Sequence, residues 1–352
     1  MNAVQSIEFA ARLIISALLI SGFGIIFGLL YKGIDRKLSA RMQGRIGPPV
    51  RQPFRDVRKL FVKENIVPND AIPWLFHLAP LAGLVATITI LLYIPIGGFP
   101  AVLSTTGDLI LILYLLILPS LAMVIGGFSS GSPYAVVGAQ REMATMIAYE
   151  FPLAIIIIGF AWNLRTMTTP FALTTITTNP IWNTVGPIGF IGCILMLVTL
   201  VIVTPAELSK IPFDASEAET EIAGGLLAEY SGRNLGLFYL TDGVKTMVMA
   251  SLIVALFFPY NLTQLEIFHS ITGTIPGYLL DFLFYLVKIL LVVLFSVTLI
   301  RVAIARLKID QIVSTYWVWF TLLSLIGLIL VMWDQNILQW FGLKPLIQYF
   351  IT

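Results

Sequence analysis

The chain has 352 residues, 58% of them hydrophobic and only 11% charged, with a formal net charge of +2 and a mean hydropathy of +0.93. Soluble domains are about half apolar and about a quarter charged, so this composition excludes a soluble globular protein and specifies a polytopic membrane protein. The single Cys193 rules out a disulfide within the chain, and His77 and His269 stand too far apart in sequence to form a metal or haem ligand set. No phosphate loop, dinucleotide turn or nucleophile elbow occurs, so no catalytic residue, metal site or cofactor is expected here.

Eight apolar runs of about 20 residues are each long enough to cross a hydrocarbon core of roughly 30 Å as a helix. They are Ile7–Leu30, Trp74–Ile94, Leu109–Gly126, Glu142–Leu164, Val185–Thr204, Leu235–Phe258, Gly277–Ile300 and Ser314–Trp333. The first is too long for a signal-peptide core and lacks a small-residue cleavage site, so it reads as a retained span. The fold class is therefore all-α, with residues 1–352 forming a single integral membrane domain.

The loop after the first span, residues 31–73, holds ten of the 21 Lys and Arg residues. Within its "FRDVRKLFVKEN", Phe54, Val57, Leu60 and Phe61 recur at helical spacing while Arg55, Arg58, Lys59 and Lys63 face elsewhere. This predicts an amphipathic helix lying at the membrane surface. Attraction to anionic lipid accounts for such a helix; the preceding "GRIGPP" turn also suits a docking platform for a soluble partner.

In the fourth span, "REMATMIAYEFPLAIIII" places Glu150 about nine residues from the end of the run, close to mid-membrane at roughly 1.5 Å per residue. Carboxylates at that depth face a bundle interior or a wet cavity and mark proton or ion routes, or else stay neutral and hydrogen-bonded. Pro152 frees a backbone carbonyl one turn earlier, which favours local hydration. In the sixth and seventh spans stand Asp242, Lys245 and Lys288. Asp242 and Lys245 are three residues apart on one helix face and form either a structural ion pair or part of a relay. Lys288 has no local partner, and a buried amine that loses its proton readily suits transfer.

The loop at 205–234 gathers six of the 19 acids, Glu207, Asp214, Glu217, Glu219, Glu221 and Glu229, around one Lys210. "SEAE" at Ser216–Glu219 fits a capping box, which explains two or three acids and not six. Glu217 and Glu221 are one turn apart on a helix, so their charges repel unless one is protonated, a property suited to a proton relay. Small and apolar residues around Glu221 and Glu229 in "EIAGGLLAEYSG" send these acids into the protein. Sixteen of the 21 basic residues fall in the loops after spans 1, 3, 5 and 7, against Arg165 and Lys344 in the opposite segments. The positive-inside rule then predicts a multi-pass cell-membrane protein with both termini outside.

The segment "AELSKIPFDASEAETEIAGGLLAEYSG" resembles the signature loop of the respiratory complex I membrane subunit that seats the peripheral arm and floors the quinone cavity. The resemblance continues through "ARMQGRIGPP", "QPFRDVRKLFVKE", "LFHLAP", "AYE", "FYLTDGVKTM" and "LVKILLVVLFSVTLIRVAIARLKIDQIVSTYW", in order from residue 36 to 317. It implies eight core spans and an acidic path, formed by Glu150, the six loop acids and Asp242, that links redox chemistry to H⁺ or Na⁺ translocation; Glu142, Lys245 and Lys288 are further candidates for that transfer. It also implies a seat for the peripheral arm, drawn from Arg36, Arg41, Arg45, Arg51, Arg55, Arg58, Lys59, Arg301, Arg306 and Asp310. Gln311 completes the "DQ" pair of that last stretch.

Three departures stand out. "GPPVRQP" closes a gap that is longer in quinone-binding members, "EMATMIAYE" adds Glu142, and "VAIARLKIDQ" lacks a proline common after the first arginine. These features resemble membrane-bound nickel–iron hydrogenases and sulfane sulfur reductases. The resemblance implies iron–sulfur clusters, and a nickel–iron centre in the hydrogenase case, held by hydrogenase-like and iron–sulfur partner subunits. Further implied partners are antiporter-like membrane subunits, ferredoxin through the soluble partners, and the lipid bilayer, with no nucleic acid. The rival expectations are a quinone-site subunit of a complex I-type NADH or F420H2 dehydrogenase, and a stand-alone ion transporter.

Overall fold

A computed structural model describes residues 3–265, 268 and 272–341. His269 and Lys344 lie outside the described residues. The chain opens with α1 (Ala3–Met42), α2 (Gln52–Val62), α3 (Pro73–Tyr93), α4 (Asp108–Ser129) and α5 (Pro133–Asn163). Two short helices, α6 (Leu173–Thr178) and α7 (Ile181–Thr184), precede α8 (Pro187–Glu207). The acidic segment contains the single α-turn α9 (Glu219–Ile222) and a 3-10 turn at Gly225–Leu227 before α10 (Gly232–Phe257). Helix α11 (Ile275–Val293) passes through a π-helical turn at Leu294–Thr298 into α12 (Leu299–Ala303), and α13 (Ile309–Ser314) passes through another at Thr315–Phe320 into α14 (Thr321–Phe341). Eight helical runs are long and apolar enough to span a membrane, as expected. Among the described residues the only β pairing is one isolated bridge, Ile96 to Phe99.

Proline sets several of these boundaries. Helices α3, α5 and α8 begin on Pro73, Pro133 and Pro187, where the missing N–H costs no intrahelical bond. Pro80, Pro119, Pro152 and Pro205 instead lie inside spans, where each removes one ladder bond that neighbouring groups must replace. Pro152 and Pro205 sit two residues from Glu150 and Glu207, so the backbone ladder opens where ionisable groups enter the bundle.

Helix α10 is the hub. In its most apolar stretch 83% of residues are buried, against 17% for α1 and 22% for the run ending in α14. It packs against α1, α2, α3 and α11. The crossing with α1 is close because Gly28 meets the backbone of Gly243: a Cβ on Gly28 would lie 2.4 Å from the Gly243 carbonyl oxygen. Small residues permit such backbone approach between membrane helices.

Several sequence expectations need correction. The first helix does not end at Leu30: it continues through Gly33 to Met42, so the first dozen residues of the stretch 31–73 are helical. Helix α2 forms over the predicted amphipathic stretch, but its apolar stripe packs on protein, with Phe54 and Val57 against the main core and Phe61 beside Gly236 of α10. Helix α5 starts at Pro133, nine residues before Glu142. The capping box at Ser216 does not form, because the Ser216 hydroxyl is drawn to Glu142 and α9 has no side-chain cap. Glu217 consequently lies outside any helix and does not share a face with Glu221.

The α1–α10 crossing should be intolerant of bulk. Gly28→Val should lower the thermal midpoint in detergent by the equivalent of about 1–3 kcal/mol, the usual penalty for overpacking. An unchanged melting curve would show that the helices can separate freely there.

Candidate functional site

One helical turn beyond Gly28, α1 carries Lys32 to Asp242 of α10, with Nζ and Oδ2 2.5 Å apart. Lys210 of the acidic segment approaches the same oxygen at 2.6 Å. Asp242 is thus gripped from two sides by chain segments that are remote in sequence. The Lys32 ammonium also lies 3.2 Å from the centre of the Tyr239 ring, a desolvated cation–π contact. Arg36 donates to the Tyr239 hydroxyl and pairs with Asp56 of α2 at 3.1 Å. Gln52 donates to Asp56 at 2.8 Å, which fixes α2 against this cluster.

These groups wall a cavity of about 570 Å³ between α1, α2, α10 and the acidic segment. Glu207, Glu217, Glu219, Lys245, Lys59 and Lys63 also line it, so charged side chains stand on every side. Burial pushes the Glu217 carboxyl up to about 7; Lys210 pulls it down, while Asp242 and Glu142 push it further up. The Glu217 carboxyl therefore exchanges its proton near neutrality.

A second set of groups lies deeper. Lys245 pairs with Glu207 at 2.8 Å, and the two side chains are only 4% and 2% exposed. Lys245 donates to Ser120 at 2.8 Å, and the Ser120 hydroxyl is 3.2 Å from that of Tyr149. Glu142 is buried and accepts from Ser216 at 2.5 Å and from Ser209 at 3.2 Å. Both Glu142 and Glu150 lie within electrostatic reach of Lys245 and Glu207. One carboxyl oxygen of Glu150 is buried with no hydrogen-bond partner.

The fold of the acidic segment produces this arrangement. Gly225, at φ +51°, passes so close to Ser216 that a Cβ would lie 2.1 Å from its carbonyl oxygen. That turn folds the second half of the segment back on the first, which presents Ser209 and Ser216 to Glu142 and Lys210 to Asp242. Arg141 pairs with Glu221 at 2.5 Å, and Arg306 makes a two-pronged contact with Asp214 at 2.5 and 2.8 Å. The bond to Asp214 holds the Arg306 guanidinium above its usual range. Asp214 and Glu221 thus clamp the segment in place.

The structure gathers Glu142, Glu150, Glu207, Glu217, Glu219, Asp242 and Lys245 around the cavity and its inner wall. Glu229 is half-buried and is not part of the cavity lining. Lys288 lies away from this cluster, beside the far end of α10. The pairing suggested for Asp242 with Lys245 does not occur: each takes a partner from another segment. Among the basic residues, Arg41, Arg45, Arg51, Arg55, Arg58 and Lys59 are exposed, as is Asp310. Arg36, Arg301 and Arg306 are instead engaged within the chain, Arg301 with buried Asp35 at 3.1 Å. Sequence reasoning missed the roles of Lys32, Lys210, Tyr239 and the three serines. Lys32 and Arg36, four apart and so on one helix face, were the one available signal that α1 continues, against the glycine at Gly33.

The model of the NADH dehydrogenase family matches residues 14–332. The chain is 29% identical over 335 residues to NADH-quinone oxidoreductase subunit 8 of Rhodothermus marinus, covering 91% of this chain and 94% of that one. It is 32% identical over 292 residues to formate hydrogenlyase subunit 4 of Escherichia coli K12, covering 83% and 90%. Hydrogenase-4 component C of the same organism is 35% identical over 235 residues, covering 67% and 72%. A chain in the structure of the membrane-bound sulfane sulfur reductase, an archaeal respiratory membrane complex, superposes with a TM-score of 0.77 at 30% identity, over 91% of this chain and 99% of that one. Among the described residues no group of His, Cys, Asp and Glu could hold a metal ion. The chain therefore belongs to the NADH dehydrogenase family of complex I-type membrane subunits, related to the membrane subunits of hydrogenase and sulfur-reductase complexes.

Proposed function

We propose that this chain anchors a cytoplasmic ferredoxin-oxidising module of the membrane-bound hydrogenase or sulfane sulfur reductase type and couples its electron transfer to H⁺ or Na⁺ translocation. The observation that carries the reading is the run of ionisable groups from Glu217 at the cavity, past Glu142 and the Glu207–Lys245 pair, to Glu150 inside α5. Redox chemistry in a soluble module seated over the acidic segment would shift charge at the cavity. Glu217 answers by taking or releasing a proton, and the deeper pairs pass the change inwards. Antiporter-like membrane subunits would receive it. The exposed basic face of α2 and the end of α1 seats the module, which holds the iron–sulfur clusters and any nickel–iron centre. With the N-terminus outside, this face lies in the cytoplasm of a prokaryotic cell.

A second reading is a quinone-site subunit of a complex I-type dehydrogenase, favoured by the match to a NADH-quinone oxidoreductase subunit. The cavity walls combine ammonium, guanidinium and carboxylate groups with Leu60, Met123, Leu227, Leu235 and Phe238, so their apolar part could also receive a quinone ring and a photoprobe decides between the two readings. A stand-alone transporter requires a polar route through the chain. The part of α10 beyond the cavity, from Thr246 to Phe257, is buried and mostly apolar, which opposes that reading.

Three outcomes test these statements. Purification of the intact complex should recover iron–sulfur and antiporter-like subunits with this chain, and a quinone photoprobe should leave the cavity unlabelled; labelling there would favour the quinone reading. Glu150→Gln should lower ion translocation in reconstituted vesicles by about 10²-fold, the lower range for losing a proton-transfer group, while electron transfer in the soluble module persists. For Glu217, a folded-state pKa of about 7 lies above the usual value near 4.3, so its contribution favours the folded state at acid pH and is lost as pH rises through about 7. Glu217→Gln should therefore flatten the wild-type fall in stability between about pH 4.3 and 7, measured by melting, and the change in translocation around about pH 7, measured by ion flux.

A further inference from the structure

On the side of the fold remote from the acidic segment, two cavities meet at one lysine. The first is a vestibule of about 510 Å³ built from the chain after α3, the α6–α7 region and the chain after α10, with Thr177, Asn183, Asn261 and Gln264 in its walls. The second is a groove of about 460 Å³ between α8, α10 and α11, walled by Leu197, Val201, Ile253, Phe284, Leu291 and Phe295. Tyr260 and Lys288 line both. Leu291 and Phe295 are 47% and 56% exposed, so the groove opens on the outer surface of the bundle, where hydrocarbon lies.

Lys288 is positioned by the end of α10. Its ammonium donates to the carbonyl oxygens of Phe258 at 2.9 Å and Tyr260 at 2.8 Å, groups at a helix C-terminus that the helical ladder does not satisfy. An ammonium has three N–H donors, and the two carbonyls satisfy two of them; the Phe284 ring lies 5.0 Å away and Asp281 acts on the charge only from a distance. Asp281 is occupied by Thr263, whose backbone N–H and hydroxyl donate to it at 3.0 and 2.7 Å. Among the described residues no carboxylate forms an ion pair with Lys288. A cation with no ion-paired carboxylate among the described residues, at the mouth of an apolar groove, suits an anion joined to hydrocarbon, a combination that a free anion lacks.

We propose that the groove and vestibule together bind one membrane lipid with an anionic phosphate headgroup. The phosphate accepts from Lys288, the headgroup occupies the vestibule beside Asn183 and Gln264, and one hydrocarbon chain runs along α11 from Lys288 to Phe295. That distance is about 10 Å at 1.5 Å per residue, enough to hold the upper part of the chain. The lipid would fill the seam between α8 and α11 and give Lys288 an anion in direct contact.

The test is native mass spectrometry of the intact complex, delipidated in detergent and then supplied with equal amounts of phosphatidylglycerol and phosphatidylcholine. One bound phosphatidylglycerol is expected on the wild type and on Lys288→Arg, preferred at least about tenfold over phosphatidylcholine. Lys288→Met should lose that preference, and Leu291→Trp, which blocks the groove and keeps the charge, should lose the lipid. If Lys288→Met does not assemble, the contrast between Lys288→Arg and Leu291→Trp decides. Equal retention by wild type and Leu291→Trp, equal retention of both lipids, displacement by inorganic phosphate alone, or a partner subunit's helix seated in the groove would each overturn the proposal.

Discussion

The site depends on one carboxylate held between two ammonium groups. Asp242 joins α10 to α1 through Lys32 and to the acidic segment through Lys210, at 2.5 and 2.6 Å. Taking these charges out of water is costly, and the arrangement holds only because each has a partner; removal of one member leaves an uncompensated charge, at a cost of about 3–5 kcal/mol. The close approach of Gly28 to Gly243 sets the distance at which Lys32 meets Asp242. Backbone packing and charge pairing are thus a single constraint here. Helix α10 can be the most buried span because its ionic end is neutralised by side chains from other segments.

The ionisable groups divide by their partners. Asp214, Glu221 and Asp35 are matched to the arginines Arg306, Arg141 and Arg301, and these pairs fix loops and helix ends. Glu142 has hydroxyl partners, Glu150 keeps a buried oxygen unpartnered, and Glu217 is poised near neutral pH. Groups of the first kind are each matched by an opposite charge. Groups of the second kind have no such match, which is why the proposed function assigns coupling to them. The cluster also explains how a chain with only 11% charged residues can hold a charged cavity: the charges are concentrated in one place and compensate one another.

Kinship with NADH-quinone oxidoreductase, formate hydrogenlyase and sulfane sulfur reductase subunits places one helical scaffold under several electron acceptors. A scaffold of that kind does not itself specify the acceptor. The helical body superposes on the sulfane sulfur reductase chain over 91% of this chain, and Glu142 acts electrostatically on Glu217 at the cavity. Asp56 of α2 reaches Arg36, and both line the cavity.

Sequence alone determined the membrane class, the eight spans, the amphipathic α2 and the importance of the acidic segment, because apolar run length and local charge density are properties of neighbouring residues. It also selected Glu142, Glu150, Glu207, Glu217, Glu219, Asp242 and Lys245, all of which the fold brings to one region. Pairing was decided by tertiary structure. Asp242 and Lys245, three residues apart, invite a local ion pair, yet Lys32 from 210 positions earlier takes Asp242 and Glu207 takes Lys245. Ser216 reads as a helix cap and serves Glu142 instead. Lys288 reads as one of the coupling groups and lies beside the opposite end of α10. In a low-dielectric bundle each buried charge is stabilised by the partner that packing brings nearest, and packing is set by helix crossings that spacing along the chain does not encode.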